Sequence, residues 1–131
     1  MMKKLDANDI SKIMYMDDKD FSKFFDCEIV EWTQFLMQNV DNENFFMIGH
    51  FEDKKLIGYL IAYFAPLPIC KGVSALYSKT AGIKNNKLAL NELKKWSKEK
   101  GATSIDIITN NVRGHGIYGF KKKATMMVMK L

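Results

Sequence analysis

Residues 73–109, VSALYSKTAGIKNNKLALNELKKWSKEKGATSIDIIT, decide the fold, because a helical pattern lies between two β-rich runs. The first run is GVSALYS over residues 72–78, and the second is SIDIIT over residues 104–109. Between them, residues 87–100 place apolar or small side chains on one face, which is typical of an amphipathic helix. A strand, a helix and a second strand in this order predict a parallel strand pair with a right-handed crossover. The side chains on the apolar face of the helix are Ala89, Leu90, Leu93, Trp96 and Ser97.

Residue types at both ends of this helix indicate where it begins and ends. Asn85 or Asn86 is a natural N-cap, because an asparagine side chain accepts a hydrogen bond from the first amides of a helix. Gly101 is a natural residue to follow the helix, because glycine readily adopts the left-handed conformation that ends many helices. The sequence therefore predicts a helix over residues 87–100 with an asparagine cap before it.

Two β-rich runs upstream predict an antiparallel hairpin. They are FFMIGHF over residues 45–51 and LIGYLIAYF over residues 56–64, joined by the polar turn EDKK. This turn lacks the Asn-Gly or Asp-Gly pair that marks many two-residue hairpin loops. Pro66 and Pro68 are expected to end the second strand, because proline has no amide hydrogen to donate to a sheet.

The N-terminal region has helical patterns. Asn8 or Asp9 is expected to cap a short first helix, and a second helix is expected after residues 17–25. Residues 17–25, DDKDFSKFF, are expected to form a loop or frayed helix with exposed aromatic side chains, which either cover the core or form a lip over a substrate cleft. The helical spacing rests on Ile10, Ile13 and Met14 in the first helix and on Ile29, Trp32, Phe35 and Leu36 in the second.

The last part of the sequence is glycine-rich and then apolar. Residues 112–120, VRGHGIYGF, form a short turn-rich segment, and residues 125–131, TMMVMKL, predict a final strand. The element order is two helices, three strands, a helix, a strand, a short turn and a last strand, which predicts an α+β fold with a mixed sheet. A doubly wound fold is excluded, because only one strand–helix–strand crossover is present.

Length and composition limit the class of protein. The chain has 131 residues, of which 47% are hydrophobic, so we expect one domain with a packed core. Cys27 and Cys70 are too few for a disulfide framework and are typical of a reducing compartment. His50 and His115 are far apart in sequence, so no metal site is expected. The start, MMKKLDAND, lacks the apolar run of an export signal, and no apolar stretch is long enough to span a bilayer. We expect a soluble, cytoplasmic protein without a membrane partner.

Charge is divided unevenly along the sequence. Residues 1–53 carry a net charge of −7 and residues 54–131 carry +12, which gives +5 for the whole chain. Such a basic region favours a polyanionic partner: a nucleotide cofactor, a nucleic acid or an acidic protein. Charge that serves only solubility is the alternative. Lysines 121–123 beside Tyr118 and Phe120 are compatible with nucleic-acid binding but not specific for it.

Several stretches resemble the GCN5-related N-acetyltransferase (GNAT) family, over nearly the whole chain. KKLDANDISKI resembles its first strand and helix, and FFMIGHFEDKKLIGYLIAYF resembles its second and third strands. LNELKKWSKEKGATSIDI is similar to the family's helix end, W-A-K-E-K-G-A, and the strand after it. YGFKK, residues 118–122, resembles the L-G-F-K-K that opens its last hairpin. The resemblance implies a mixed, mostly antiparallel sheet with helices on both faces.

The resemblance also implies transfer of an acetyl group from acetyl-CoA to an amine, without a metal. The family binds coenzyme A at a Gln/Arg-x-x-Gly-x-Gly/Ala loop, where helix amides meet the diphosphate. Here that loop falls on residues 81–86, and only Gly82 remains a glycine. A Cβ where the backbone requires positive φ costs about 1–2 kcal/mol, so weak binding is expected. The cofactor-binding residues that the resemblance implies are Leu76, Tyr77, Ser78, Ala81, Gly82, Ile83, Lys84, Asn85, Asn86, Lys87 and Asn111.

Family members use a tyrosine before the last hairpin to protonate the leaving thiolate. An ungapped match puts this position on His115, and Tyr118 is the nearest tyrosine, so the resemblance implies Tyr118 or His115 as the general acid. Both also fit noncatalytic roles, His115 as a surface histidine and Tyr118 as a core aromatic residue. Glu52, Asp53 and Asp106 are candidates for the base only because they lie on or beside predicted strands.

Two functions from different classes remain open. One is an N-acetyltransferase whose acidic half faces an amine-bearing small molecule or protein. The other is a catalytically eroded domain that binds a macromolecule, which the altered loop at 81–86 and the short segment at 110–118 favour. Short chains rich in Lys, Asn and Met that end in RG…YGFK also resemble phage-encoded proteins, which implies a phage accessory protein in the host cytoplasm. A homodimer is compatible with both functions.

Overall fold

The computed structural model of the chain describes residues 1–131 except 17–20, 22–25, 68–69, 80–81, 109–114, 117 and 124–126. Within the described residues, five strands form one sheet, accompanied by three α-helices and a 3₁₀ helix. The strands are β1 (Met2–Lys4), β2 (Phe45–Glu52), β3 (Lys55–Leu67), β4 (Cys70–Lys79) and β5 (Ser104–Ile107). The helices are α1 (Ala7–Ser11), α2 (Ile29–Asn39) and α3 (Ile83–Glu99), with the 3₁₀ helix at Lys12–Tyr15.

The sheet has the order β1-β2-β3-β4-β5 and is antiparallel except at its last pair. Strand β5 runs parallel to β4, and their pairing extends from Gly72↔Ser104 to Ala75↔Ile107. Helix α3 connects these two strands, so the predicted crossover is present. The prediction of an α+β fold with a mixed, mostly antiparallel sheet is confirmed.

Apolar side chains are buried on both faces of the sheet. On one face, Ile61 and Tyr77 pack with residues of α1 and α2. On the other face, Val73 packs against Leu93 of α3, which is 1% exposed. Helices therefore cover both faces, as predicted. The buried apolar residues that α1 and α2 contribute are Ile10, Trp32 and Leu36.

Strand β1 precedes the first helix, as the resemblance implied. Residues 2–4 pair antiparallel with residues 48–50 of β2. The residue pattern by itself does not predict this strand, because Met-Lys-Lys shows no alternation of apolar and polar side chains.

Helix α1 begins behind Asp6, so the prediction that Asn8 or Asp9 caps it was wrong. The Asp9 amide donates to the Asp6 carboxylate at 2.8 Å, and the Asp6 amide donates to the Asp9 carboxylate at 3.1 Å. This reciprocal capping box satisfies two amides that a helix start otherwise leaves without partners. The hydrogen bond from the Asp9 amide is the largest cause that lowers the pKa of Asp6 below its ordinary 3.8.

Helix α2 spans Ile29–Asn39, where the helical spacing predicts it. Trp32 faces the sheet and is 5% exposed. Phe21 was predicted to be exposed but is 4% exposed, because its ring packs against Trp32 and Tyr77. Of the two roles predicted for residues 17–25, Phe21 has that of covering the core. The other phenylalanines of residues 17–25 lie outside the described residues.

Strands β2 and β3 form the predicted antiparallel hairpin. Asp53 and Lys54 have φ values of 50° and 64°, which are typical of the type I′ turn that suits the twist of a hairpin. His50 pairs with Gly58 just before the pairing register shifts. The hairpin thus forms without the glycine that its turn type favours.

Strand β3 does not end before Pro66, as was predicted, but continues to Leu67. Pro66 pairs with Lys71 of β4. The pairing of β3 with β2 stops at Tyr63, so beyond that point its described neighbour is β4 alone. On such a half-open stretch the missing amide hydrogen of proline is tolerated. Pro68 lies outside the described residues.

Helix α3 ends as predicted, with Gly101 in the left-handed conformation at φ 80°. The Gly101 amide donates to the Lys98 carbonyl at 3.0 Å, and the Ala102 amide donates to the Ser97 carbonyl at 2.9 Å. These two bonds form a Schellman motif, which satisfies the last carbonyls of a helix. The chain then enters β5 directly.

The predicted final strand over residues 125–131 is not found in the part of it that is described. Residues 127–131 have no strand pairing, and Met127, Val128 and Met129 are 92%, 74% and 84% exposed. The prediction was wrong there, because a β-rich composition stabilises a strand only where a neighbouring strand pairs with its backbone.

Candidate functional site

Helix α3 begins at Ile83 behind Gly82, which has φ 91° and ψ 157°. The Asn86 amide donates to the Gly82 carbonyl at 2.9 Å and so closes the first turn. Asn85 and Asn86 lie inside this turn, and the prediction that one of them caps the helix was wrong. A pair of asparagines looks the same in sequence whether it precedes a helix or forms its first turn.

Gly82 is the residue of this loop that requires glycine. Its combination of φ and ψ is essentially restricted to glycine, and a Cβ there would meet no atom within 4 Å, so the restriction comes from the backbone alone. Lys84 and Asn86 occupy the other glycine positions of the family's motif, but their backbone is helical. The strain expected at these two positions is therefore absent. The conformational argument for weak coenzyme A binding no longer applies.

The start of α3 is positively charged, unlike the starts of the other two α-helices. Asp9 lies in the first turn of α1 and Glu31 in that of α2, whereas α3 has no acidic residue there. Lys84 and Lys87 are exposed near its start. The amides of Ile83 and Lys84 have no acceptor within the helix, and the helix dipole adds partial positive charge. These features favour an anion at this position.

Strand β4 has a bulge shortly before this helix. Ala62 pairs with Ala75 and Ile61 pairs with Tyr77, so Leu76 is an extra residue. The parallel pairing with β5 ends at Ala75. From Leu76 onward β4 has no strand partner on that side among the described residues, so its backbone groups there are open to another partner.

The side chains at this end of β4 differ in burial. Leu76 is 36% exposed and Ser78 is exposed as well. Tyr77 is 9% exposed, with its ring 5.6 Å from that of Phe21 and 5.7 Å from that of Tyr59. Tyr77 therefore serves the core with its side chain and offers only its backbone to a ligand.

The end of β4 and the first turn of α3 adjoin a common cavity of about 20 Å³. Of the candidate coenzyme residues, the structure thus brings Ser78 together with Asn85 and Asn86. Ala81 and Asn111 lie outside the described residues, as does the side chain of Ile83. The polar residues that line the cavity from these two elements are Ser78, Lys79, Asn85 and Asn86.

Tyr118 and His115 lie elsewhere. Tyr118 lines a groove of about 480 Å³ together with Lys94 and Lys98. The His115 ring is 6.4 Å from the Tyr118 ring. Along α3, Lys98 lies about 21 Å from Lys84 at the rise of an α-helix. The groove at Tyr118 and the cavity at Ser78 share no lining residue, so a role for Tyr118 or His115 as the general acid stays a prediction.

The three acidic candidates for a general base lie at separate places in or beside the sheet. Asp106 accepts a hydrogen bond from the Ser74 hydroxyl at 2.8 Å, which links β5 to β4. The Glu52 side chain is 66% exposed, with Oε1 3.8 Å from Nε2 of His50. Asp53 belongs to the turn between β2 and β3.

Neither a metal-binding cluster nor a membrane-spanning helix is found in the part of the chain that the structure describes. No group of three or more His, Cys, Asp or Glu residues is placed there to hold a metal ion. Cys27 is a free, half-buried thiol. None of the described helices has the length and apolar character needed to cross a bilayer.

His50 is a residue that the sequence analysis missed, since it was considered only as a metal ligand. It lines the same cavity as Ser78 and Asn86. Strand alternation was the available signal, because it places His50 on the same face as Ile48, which packs in the core under α3. Sequence alone could not show that this face meets the start of α3.

No protein-family model matches the sequence, and no curated protein matches it by sequence. Solved structures match over the whole chain. An acetyltransferase from Trypanosoma brucei is 13% identical, with 99% of its chain covered and a TM-score of 0.77. The enzyme AAC(6')-Iy, in complex with a coenzyme A bisubstrate analogue, is 12% identical, with 97% covered and a TM-score of 0.75. The chain has the GNAT fold. A transcriptional regulator from Bacillus halodurans, 18% identical with 99% covered, also matches at a TM-score of 0.74, so the GNAT fold alone does not fix the activity.

Proposed function

We propose that the chain binds acetyl-CoA and transfers its acetyl group to an amine. The start of α3 carries the proposal, since it combines a glycine N-cap with Lys84 and Lys87 and has no acidic residue in its first turn. The match to AAC(6')-Iy, whose structure contains a coenzyme A analogue, supports the same ligand class.

The residues at the start of α3 fit a diphosphate. Gly82 has no side chain to obstruct the approach of a phosphate to the backbone. The amides of Ile83 and Lys84 donate hydrogen bonds to the anion, and the ammonium groups of Lys84 and Lys87 add charge. Each exposed lysine contributes about 0.2–1 kcal/mol, so the backbone amides provide much of the specificity.

The end of β4 fits the amide-bearing arm of coenzyme A. The backbone of Leu76 and Ser78 lies past the described pairing with β5. An extended ligand with amide groups binds such a backbone in the way that an added strand does. Tyr77 holds this stretch in place because its ring is packed in the core.

When bound, acetyl-CoA supplies a thioester whose carbonyl carbon a neutral amine attacks, so that a C–N bond forms, the C–S bond breaks, and the sulfur receives a proton. The chain holds the acetyl donor and presents an acidic region to the amine, because residues 1–53 carry a net charge of −7. Tyr118 lines the groove at Lys94 and Lys98, with the His115 ring 6.4 Å from its own ring, so the proposal does not use either of them as the proton donor.

A pair of double charge reversals tests the proposal. In Lys84→Glu/Lys87→Glu we expect acetyl-CoA to bind at least about tenfold more weakly by calorimetry, because the anion meets two carboxylates in place of two ammonium groups. The matched control is Lys94→Glu/Lys98→Glu, which makes the same change in net charge on the same helix and should leave Kd within about twofold, because exposed charges beyond about 8–10 Å are screened.

The free energy of unfolding of each variant shows whether a loss of binding comes from misfolding. A carboxylate at position 84 should stabilise the helix start by about 0.3–1 kcal/mol, so the first variant should bind worse while unfolding no more easily. For the unaltered protein, acetyl-CoA at about a hundred times Kd should raise the free energy of unfolding by about 2.7 kcal/mol. No stabilisation by millimolar acetyl-CoA, or an equal loss of binding in both variants, would contradict the proposal.

A second candidate, binding of a nucleic-acid strand, is favoured by the groove at the other end of α3. Lys94 and Lys98 line it together with Tyr118 and Phe120. Lysines bind phosphates and aromatic rings stack on bases. The same two variants test it in reverse, because Lys94→Glu/Lys98→Glu should then abolish binding of a labelled single-stranded oligonucleotide while Lys84→Glu/Lys87→Glu should weaken it far less.

A further inference from the structure

His50 has a buried ring nitrogen that the proposed function does not use. Its side chain is 11% exposed, and Nδ1 makes no hydrogen bond to any described residue. The other ring nitrogen, Nε2, lies 3.8 Å from Oε1 of Glu52, which is largely exposed. A buried polar atom without a partner is rare in folded proteins and calls for a specific explanation.

The cavity beside His50 has the size and chemistry to explain this atom. Its volume is about 20 Å³, whereas one water needs about 10–15 Å³ of space open to a water-sized sphere. Gly58, the pairing partner of His50, adjoins it and has no side chain to occupy it. Ser78 of β4 and Asn86 of α3 bring hydroxyl and amide groups to its wall. Most of the wall is apolar, but His50, Ser78 and Asn86 bring polar groups to it, and such groups favour a water where a wholly apolar cavity of this size would stay dry.

We propose that one buried water fills this cavity, bound to Nδ1 of His50, and that His50 through this water positions the end of β4 against the first turn of α3. A proton on Nε2, on the side of Glu52, leaves Nδ1 as an acceptor for the water. The remaining hydrogen-bonding capacity of the water goes to polar groups on Ser78 and α3. His50 is therefore a positioning residue that ties together strands β2 and β4 and helix α3.

This arrangement deepens the proposed function. Its consequence for coenzyme A binding rests on that function. Two of the elements joined by the water, β4 and α3, flank the candidate coenzyme site, with Ser78 on one side and the turn after Gly82 on the other. A site that is held rigid before binding loses less entropy when the ligand arrives. Loss of the water should therefore loosen the start of α3 first and weaken coenzyme A binding as a consequence.

Three variants test the proposal. His50→Leu removes the nitrogen and keeps an apolar side chain, whereas His50→Gln restores an amide that can bind the water. Thr33→Val is the matched control, because Thr33 is a buried polar residue whose hydroxyl donates to the Ile29 carbonyl at 2.8 Å on the opposite face of the sheet.

Hydrogen exchange in the free protein is the first readout. The Asn86 amide closes the first turn of α3, and in His50→Leu it should exchange about tenfold faster, as expected from the loss of a bridging hydrogen bond. The Ala102 amide at the other end of α3 should not change. His50→Gln should return Asn86 to within about threefold of the unaltered rate, and Thr33→Val should leave it unaltered.

Two further measurements complete the test. A high-resolution crystal structure should show a water within hydrogen-bond distance of Nδ1 of His50. Acetyl-CoA should bind several-fold more weakly to His50→Leu than to Thr33→Val. Unchanged exchange at Asn86 in His50→Leu, or a direct protein partner for Nδ1, would overturn the inference even if the unaltered protein binds acetyl-CoA. Failure of the unaltered protein to bind acetyl-CoA would instead overturn the proposed function, and exchange at Asn86 would still decide the role of His50.

Discussion

Helices α1 and α3 start in opposite ways. At the start of α1, Asp6 and Asp9 accept each other's backbone amides. At the start of α3, Gly82 has no side chain to cap the helix, and the nearest charged groups along the chain are lysines. A helix start that is closed by its own carboxylates needs nothing further, whereas one that is left open and positive gains stability from an anion supplied from outside.

Helix α2 follows the pattern of α1, which makes α3 the exception among the described α-helices. The Glu28 amide at its start donates to the Glu31 carboxylate at 3.2 Å. The open start of α3 is not a sign of a poorly ended helix, because its other end is closed by the bonds of Gly101 and Ala102. The two ends of α3 therefore differ in role: its C-terminal end is closed by its own hydrogen bonds, and its start is the candidate ligand site.

The largest expected effect concerns the middle of α3, which packs on the sheet through Leu93. Leu93 is 1% exposed in the core between α3 and the sheet. Leu93→Ala should lower the free energy of unfolding by about 2–5 kcal/mol, because it leaves a cavity. Urea denaturation measures this change, with Leu88→Ala as the control, since Leu88 is 47% exposed on the same helix. Equal losses in the two variants would show that the middle of α3 does not anchor it.

The next effect compares the two glycines at the ends of α3. Gly82 and Gly101 have positive φ, and a Cβ at either position would meet no atom within 4 Å. Gly101→Ala should destabilise the protein by about 1–2 kcal/mol through backbone strain, and Gly82→Ala by about 1–3 kcal/mol. Only Gly82→Ala should also weaken acetyl-CoA binding. If both variants weaken binding alike, the distinction between the two ends of α3 is wrong.

The smallest effect concerns acid and the closed start of α1. The pKa of Asp6 is lowered in the folded protein, mainly by the hydrogen bond from the Asp9 amide. Its carboxylate therefore stabilises the fold above the ordinary pKa, and this contribution is lost as the pH falls through the lowered value. Asp6→Asn should be less stable at neutral pH and should lose less stability on acidification.

The measurement is the urea midpoint at about pH 6 and at a series of lower pH values. Asp41→Asn serves as the control, because Asp41 is exposed and lies outside the helix starts. An acid-induced shift of the same size in Asp6→Asn and in the unaltered protein would show that the cap does not contribute.

The closed end of α3 at Gly101 was predicted from local sequence, whereas the residues that start α1 and α3 were not. Gly101 follows a lysine-rich helix end, which is a strong local signal, and the structure confirms it. Asn85 and Asn86 gave an equally plausible but wrong start, because a glycine cap offers no side chain that marks it. The candidate binding residues stay those that the resemblance implied, but α3 starts at Ile83 rather than at Lys87, so Lys84 and Asn86 are helical and not part of a loop.

Features that depend on neighbouring strands were also out of reach of the local pattern. Whether β3 passes through Pro66 depends on where β2 begins, and whether residues 127–131 form a strand depends on a partner for them. The cavity at His50 requires three elements that are distant in sequence to meet. Alternation and helical spacing describe one element at a time, so they predict the helices, the hairpin and the crossover but not these contacts.

The extra residue at Leu76 shifts the phase of strand β4. Ala75 packs under α3, Tyr77 points to the aromatic cluster on the opposite face, and Ser78 returns to the α3 side. In a regular strand, residues 75 and 77 would share one face. Insertion or deletion of a single residue here would exchange the two sides, withdrawing a tyrosine from one core and forcing it into the other. We therefore expect this strand to tolerate changes of side chain far better than any change in its length.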